Sequence, residues 1–283
     1  MVIKNVFVIG AGTMGNGIAQ VSAQAGYSVL MSDIKDDFVK KGMASIEKSL
    51  DRGVKKGAMT ENDKANVMSR IKTTLDIKDA KDADLVIEAA PEVLDLKKNL
   101  FRQLDEICQA DAILATNTSS LPIGEIAAVT KRPRKVIGIH FMNPVPVMKG
   151  VEIIPGRHTA VDVLEASKEY IKKIGKEPCE ARDYAGFIVS RLVDALMNEA
   201  ILCVMDGNKP EEVDKAAKLC LNHPMGPLEL CDLAGADIVL HGLETMYEEF
   251  GERLMPAPLL KNMVRSGDLG RKTGRGFYDY TQK

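Results

Sequence analysis

Apolar positions fall in short unbroken runs through the first two thirds of the chain and in longer helical periods through the last third. The runs around Val6–Ile9, Tyr27–Asp33, Asp84–Ala89, Ala112–Asn117, Lys135–Phe141 and Val151–Ile154 have strand length and are too uniformly apolar to leave one face in water. Between them lie helical periods at Met14–Ala25, Asp36–Arg70, Glu92–Cys108, Pro122–Val129 and Asp162–Ile174. In the longest, Phe38, Met43, Ile46 and Leu50 keep the helical spacing; the pattern breaks near Gly57 and restarts at Thr60-Glu-Asn-Asp63, a capping-box start. Such alternation predicts an α/β fold, a doubly wound parallel sheet with helices on both faces. Near Asp183 the texture changes. Phe187–Met205, Pro210–Leu221, Pro227–Phe250 and Pro258–Ser266 read as helices separated by Gly or Pro, with no strand among them. The expected division is a sheet domain over 1–184, carrying a helical-hairpin insertion at about 36–70, and an all-helical C-terminal domain over 185–283.

The first strand runs into Gly10-Ala11-Gly12-Thr13-Met14-Gly15, three glycines spaced G-x-G-x-x-G before a helix. Glycine allows the tight turn and lets a pyrophosphate lie against the main chain at a helix N-terminus. Alone, the motif also fits a bare strand-to-helix turn. Here the next strand ends in Asp33, where a ribose 2′-hydroxyl would need a carboxylate, so the reading is a dinucleotide-binding Rossmann domain. The acid would repel a 2′-phosphate and favours NAD, a preference that Lys35 weakens slightly. Ligands in such sheets sit beyond the C-terminal strand ends. Those ends carry Glu88 and Glu92, Asn117-Thr-Ser119-Ser120, and His140-Phe-Met-Asn143.

Charge changes the picture by exclusion. At 283 residues and a net charge of −2 with mixed signs, the chain has no basic face for nucleic acid. No apolar run approaches the ~18 residues of a membrane span, and the N-terminal apolar stretch is used as a strand. Five scattered cysteines, never C-x-x-C, read as reduced core residues of a cytoplasmic protein; four separated histidines give no metal spacing. The helical domain holds more apolar residues than one small bundle buries, which predicts a homo-oligomer joined through it. The cluster Arg52, Lys55, Lys56 is either a solvated helix face or a contact surface, and the tail Gly270–Tyr278 either a phosphate contact or a surface turn.

Read singly, the candidate side chains stay open. His140 suits proton exchange with a substrate oxygen, because imidazole titrates near neutrality, and Glu152 on the next run can return to its level; a satisfied structural histidine fits equally. Ser119 and Ser120 could cap the helix at Pro122. Glu92 and Lys97 would be a helix-start acid and a solvated lysine. His158 and His241 have no supporting context, and His223 reads as structural.

Together, Gly-Ala-Gly-Thr-Met-Gly15, Val86-Ile-Glu-Ala-Ala-Pro-Glu92, Ala115-Thr-Asn-Thr-Ser-Ser-Leu121, His140-Phe-Met-Asn-Pro-Val-Pro-Val-Met148, Asn222-His-Pro-Met-Gly-Pro-Leu-Glu229 and Gly270-Arg-Lys-Thr-Gly-Arg-Gly-Phe277 make the whole chain resemble the short-chain L-3-hydroxyacyl-CoA dehydrogenases, most closely the bacterial 3-hydroxybutyryl-CoA dehydrogenases. The resemblance implies reversible oxidation of a 3-hydroxyacyl-CoA with NAD, in a cleft between the two domains. It assigns NAD contacts to Gly10–Gly15, Asp33, Glu92, Lys97, Ser119, Asn143 and Lys272, and CoA contacts to Ser49 and Lys56. His140 is then the general acid/base, Glu152 its orienting carboxylate and Ser119 the donor to the substrate oxygen. Where the family usually has asparagine in Gly-Phe-x-x-Asn-Arg, this chain has Ser190, in Gly186-Phe-Ile-Val-Ser190-Arg191, which puts one substrate hydrogen bond in question; Pro91 and Gly150 are lesser departures. Other readings of the same plan are a dehydrogenase of another hydroxy acid (the L-gulonate type), a non-catalytic NAD-binding crystallin-like protein, or an NADH-sensing regulator. The basic Ser49–Lys56 region argues against the first, joint retention of His140, Glu152 and Ser119 against the second, and the lack of any added reading module against the third.

Overall fold

A computed structural model describes residues 2–281. The chain separates between Asp183 and Tyr184 into two compact units. Among the described residues the first holds eight strands, β1 Asn5–Ile9, β2 Ser28–Ser32, β3 Ile71–Thr74, β4 Leu85–Glu88, β5 Ile113–Thr116, β6 Val136–Phe141, β7 Gly150–Pro155 and β8 Glu177–Glu180. They form one sheet in the order β3-β2-β1-β4-β5-β6-β7-β8. From β1 the chain winds outward to β2 and β3, then returns to place β4 on the other side of β1. That reversal makes the crevice at which doubly wound sheets bind ligands.

The strands anticipated from apolar runs are there, and β4, β5 and β6 are buried along their whole length. Two more were not anticipated. β3 (Ile-Lys-Thr-Thr) and β8 (Glu-Pro-Cys-Glu) are the sheet's edges, where polar residues and proline meet solvent and no apolar run is required. The sheet also departs from all-parallel: β7 runs antiparallel to β6, pairing His140 with Glu152.

Helices α1 Thr13–Gln24, α2 Asp36–Lys55, α3 Glu61–Ser69, α4 Leu94–Ile107, α5 Ile123–Ala127 and α6 Val161–Lys173 complete this unit. The α2–α3 hairpin is the expected insertion, and Thr60 and Asp63 close the expected capping box. Its buried face carries Val39, Ile46 and Leu50; Phe38 is exposed, with the Lys35 ammonium over its ring. The start of α5 is capped not by Ser120 but by Asp183, whose carboxylate accepts from Ile123 N–H at 2.8 Å and Gly124 N–H at 2.7 Å.

The second unit contains α7 Val189–Met205, α8 Pro210–Cys220, α9 Pro227–Ala234, α10 Ala236–Phe250 and α11 Pro258–Ser266. The single helix expected over Pro227–Phe250 is two, because Gly235, at φ +104°, turns the chain between α9 and α10. Met197, Ile201, Leu228, Val239, Leu243 and Met246 form the unit's core. The tail folds back on buried Asp232, which accepts from the N–H groups of Phe277 and Tyr278 at 2.9 and 3.0 Å, so its anchor is a carboxylate within its own unit. All five cysteines are free, but only Cys108 and Cys231 are buried; Cys179 and Cys220 are exposed. Among the described residues no cluster of three or more His, Cys, Asp or Glu could hold a metal, and no helix is long and apolar enough to cross a membrane.

Candidate active site

Three groups of polar contacts lie along one edge of the sheet, from β2 to β7. In the first, Ala11 N–H donates to Asp33 Oδ2 at 2.7 Å, tying the glycine loop to the end of β2. A β-carbon at Gly10 would lie 2.6 Å from Ala89 O, and one at Gly15 only 1.7 Å from Gly10 O, so both positions exclude every other residue. At Gly12 a β-carbon would meet nothing within 4 Å. Gly12 is also the residue before α1, and no side chain caps that helix. Uncapped first-turn amides beside open space fit a dinucleotide pyrophosphate, and Asp33, just past β2, lies against that turn.

The middle group is a buried ionic network. Glu88 (0 % exposed) ends β4, and Lys97 (1 %) reaches back from α4 to donate to its Oε1 at 2.7 Å. Thr116 Oγ1 donates to Glu88 Oε2 at 2.7 Å, and Ala90 N–H to Oε1 at 2.7 Å. Lys97 Nζ also lies 3.3 Å from Glu92 Oε2. Glu92 Oε1 in turn accepts from Thr118 Oγ1 at 2.5 Å, Ser119 N–H at 2.9 Å and Ser119 Oγ at 3.3 Å. Burial pushes the Glu92 carboxyl up, but the Lys97 ammonium and the Thr118 and Ser119 donors outweigh it and hold it below the usual carboxylate range. Lys97 is therefore not the solvated lysine its bare sequence suggests. The turn 117–120 is built around Glu92, and Thr118 Oγ1 accepts from Leu121 N–H at 2.9 Å.

Asn117 Oδ1 accepts from Phe141 N–H at 2.9 Å and so joins this turn to the end of β6. There His140 Nδ1 stands 2.8 Å from Glu152 Oε2, with the two residues 8 % and 1 % exposed. The antiparallel register makes them direct neighbours, and the carboxylate fixes which ring nitrogen faces it. Such a pair can hold or give a proton at the other ring nitrogen.

The remaining anticipated residues are spread more widely. Asn143 is exposed on the loop after β6. Ser49 is half-buried on α2 and Lys56 exposed at its end, at seven-residue spacing on one helix face, with exposed Arg52 between them. Among the described residues, Arg52 and Lys56 make no ion pair. Ser190 lies in the first turn of α7 and Lys272 in the tail, both in the second unit; the Lys272 ammonium is 2.5 Å from Asp237 Oδ1. Sequence reading placed Glu88 at a strand end but missed its pairing with Lys97, and it missed Thr116 and Thr118 as donors to the two carboxylates. The available signal was an acid closing the apolar run Leu85–Ile87, since a carboxylate there must find a partner.

The family model described as 3-hydroxyacyl-CoA dehydrogenase, NAD binding domain, matches residues 5–184, and the one for the C-terminal domain matches residues 186–280. The chain belongs to the 3-hydroxyacyl-CoA dehydrogenase family. It is 47 % identical to a probable 3-hydroxybutyryl-CoA dehydrogenase of Bacillus subtilis, covering 100 % of this chain and 99 % of that protein. Identity to a 3-hydroxybutyryl-CoA dehydrogenase of Clostridioides difficile is also 47 %, over 97 % and 99 % of the two chains. The crystal structure of an (S)-3-hydroxybutyryl-CoA dehydrogenase from Ralstonia eutropha superposes with a TM-score of 0.95 at 46 % identity, covering 99 % of this chain and 100 % of that one. A 3-hydroxyacyl-CoA dehydrogenase needs NAD at the glycine loop and a proton-exchanging group at the sheet edge. The three groups, from Asp33 to Glu152, lie wholly within the residues that the NAD-binding-domain model matches.

Proposed function

We propose that this 3-hydroxyacyl-CoA dehydrogenase interconverts (S)-3-hydroxybutyryl-CoA and acetoacetyl-CoA. The observation that carries the chemistry is the His140–Glu152 pair at the ligand-binding edge of a sheet whose first turn fits a dinucleotide. NAD bound at the glycine turn would supply the hydride acceptor for oxidation and the hydride donor for reduction. His140 takes the hydroxyl proton during oxidation and gives it back during reduction. Glu152 holds the ring and stabilises the imidazolium while the proton resides there. Ser119 is assigned to the substrate oxygen. Its hydroxyl makes a long 3.3 Å contact to Glu92, which keeps stronger donors in Thr118 and the Ser119 amide when that hydroxyl turns away.

Gly10–Gly15, Asp33, Glu92 and Asn143 are assigned to NAD, with Lys97 acting from beneath by holding Glu92. Lys272 is assigned to NAD as well, in competition with Asp237. Ser49 and Lys56 are assigned to CoA, whose phosphates the cationic end of α2 would attract. Ser190 takes the lesser substrate contact. The second unit is read as the substrate and dimerisation domain, and exposed Leu192, Leu219, Leu221 and Ile238 support self-association through it. Five free cysteines support a reducing, cytoplasmic setting.

The test is loss of nicotinamide absorbance with acetoacetyl-CoA and NADH or NADPH. Turnover with NADH is expected, slower with NADPH. No turnover of acetoacetyl-CoA overturns the substrate, and preference for NADPH overturns the role of Asp33.

A further inference from the structure

The loop 142–149 joins β6, which ends one residue after His140, to β7, which begins two residues before Glu152. It makes two backbone bonds of its own, from Val147 and Met148 N–H to Pro144 O at 2.9 and 3.1 Å. What fixes it from outside is Lys176. This side chain is 6 % exposed, and its ammonium donates to Val145 O and to Met148 O, both at 2.6 Å. Among the described residues no carboxylate pairs with it. A buried ammonium without a counter-charge is a costly way to fill space that an aliphatic chain would fill as well. It is retained only if its donors do something, and here both hydrogen bonds go to carbonyls of one loop. Gly175, at φ +77°, turns the chain after α6 and delivers Lys176 inward, while Glu177 N–H donates to Lys149 O at 2.9 Å and starts the β7–β8 ladder beside it.

The other side of the loop meets α1. Val145 is buried, and a β-carbon at Gly17 would lie 2.7 Å from its own β-carbon, so the valine occupies the space that the glycine leaves. The loop is thus held between the helix that follows the glycine turn and an ammonium reaching from the start of β8. Burial pulls that ammonium below its usual range, which accords with a cation stabilised only by carbonyl dipoles.

We propose that Lys176 is a positioning residue: by clamping the carbonyls of Val145 and Met148 it sets the loop that presents Asn143 to the cofactor. This rests on the assignment of Asn143 to NAD made above. His140 is held separately, by its strand and by Glu152, so loss of the clamp is felt mainly in cofactor binding.

The experiment compares wild type with Lys176→Met, Lys176→Arg and Asn143→Ala in the full chain, reading Kd by NADH fluorescence, KM for NADH and kcat with acetoacetyl-CoA, and Tm. Lys176→Met should raise Kd and KM for NADH about tenfold, the scale of a misplaced binding group, with kcat at saturation reduced less than about threefold. Lys176→Arg, which keeps a cation that can donate to both carbonyls, should recover most of the affinity. If Asn143→Ala weakens NADH but Lys176→Met does not, the clamp is wrong and the Asn143 assignment stands. If Asn143→Ala leaves NADH affinity unchanged, the assignment fails first and the proposal with it. Failure of Lys176→Arg to rescue a folded protein also overturns it. Should Lys176→Met not fold, Lys176→Gln takes its place, and NADH affinity equal to that of Lys176→Arg would refute the role of the charge.

Discussion

His140 and Glu152 owe their contact to strand direction: the antiparallel β6–β7 register sets them side by side, and burial removes the water that would otherwise solvate the carboxylate. Glu152→Gln keeps the shape but offers no charge to an imidazolium and can favour the wrong tautomer. We expect kcat to fall by about 10²–10⁴, the range of general acid–base catalysis and of triad carboxylate loss, with little change in Tm. Steady-state kinetics with acetoacetyl-CoA and NADH decides; a loss under tenfold would remove Glu152 from the chemistry. Ser190→Ala should cost kcat no more than about tenfold, since a neutral hydrogen bond nets only ~0.5–1.5 kcal/mol. A loss as large as that of His140→Ala would make the serine a direct catalytic donor. Glu88 and Lys97 behave differently, because their pair is almost wholly enclosed. Lys97→Met strands the Glu88 carboxylate and should cost about 3–5 kcal/mol, whereas adding Glu88→Gln should recover part of it. Urea midpoints of the two variants are the measurement; equal midpoints would mean the pair carries no net coupling.

At the level of elements, the break between α9 and α10 gives the sharpest test. Gly235 combines φ +104° with a site where a β-carbon would lie 2.9 Å from Asp237 Oδ1 and 3.0 Å from Lys272 Nζ. Gly235→Ala should destabilise by about 1–3 kcal/mol through backbone strain and disturb the Lys272–Asp237 pair; a thermal melt matching wild type would mean the turn relaxes freely. This break also shows where sequence reading stops. The apolar period runs unbroken from Pro227 to Phe250, and only the packing of Gly235 against the tail and the first turn of α10 divides it. Buried central strands were legible because they must be apolar throughout, while β3 and β8, polar at the edges, were not. The Thr60–Asp63 box was legible because both partners are local. The Asp183 cap of α5 was not, since its partners lie 59 and 60 residues away. The glycine loop and Asp33 could be read from spacing. Glu152 could be brought to the level of His140 from its place on the next run, but its role as partner came through family resemblance, because nothing in Val151–Ile154 declares that β7 runs antiparallel.

For the whole molecule, the near-balanced charge of −2 leaves little long-range repulsion, so pH acts on stability through individual buried groups. Asp194 is the most informative. It lies on α7, 8 % exposed, with Gly242 of α10 so close that a β-carbon there would sit 2.6 Å from its Oδ2. Burial pushes its carboxyl from 3.8 up to about 7. The sign follows from proton counting. Between those two values the folded chain keeps a proton on Asp194 that the unfolded chain has released, so stability falls as pH rises and levels off above about 7. Glu92, held low, acts the other way: its contribution is present above the usual carboxylate range and lost as pH drops through its folded value. The two trends overlap in wild type, and a difference measurement separates them. Asp194→Asn keeps the size that Gly242 accommodates and cannot ionise. Its stability relative to wild type should be lowest near pH 4, climb from about 4 to 7, and stay flat beyond, with a total gain of about 2–4 kcal/mol from the linkage of that shift. Urea unfolding followed by circular dichroism at pH 4.5, 6 and 8 reads this directly. A difference between the two proteins that does not change with pH would mean that Asp194 ionises in the folded chain as easily as in the unfolded one.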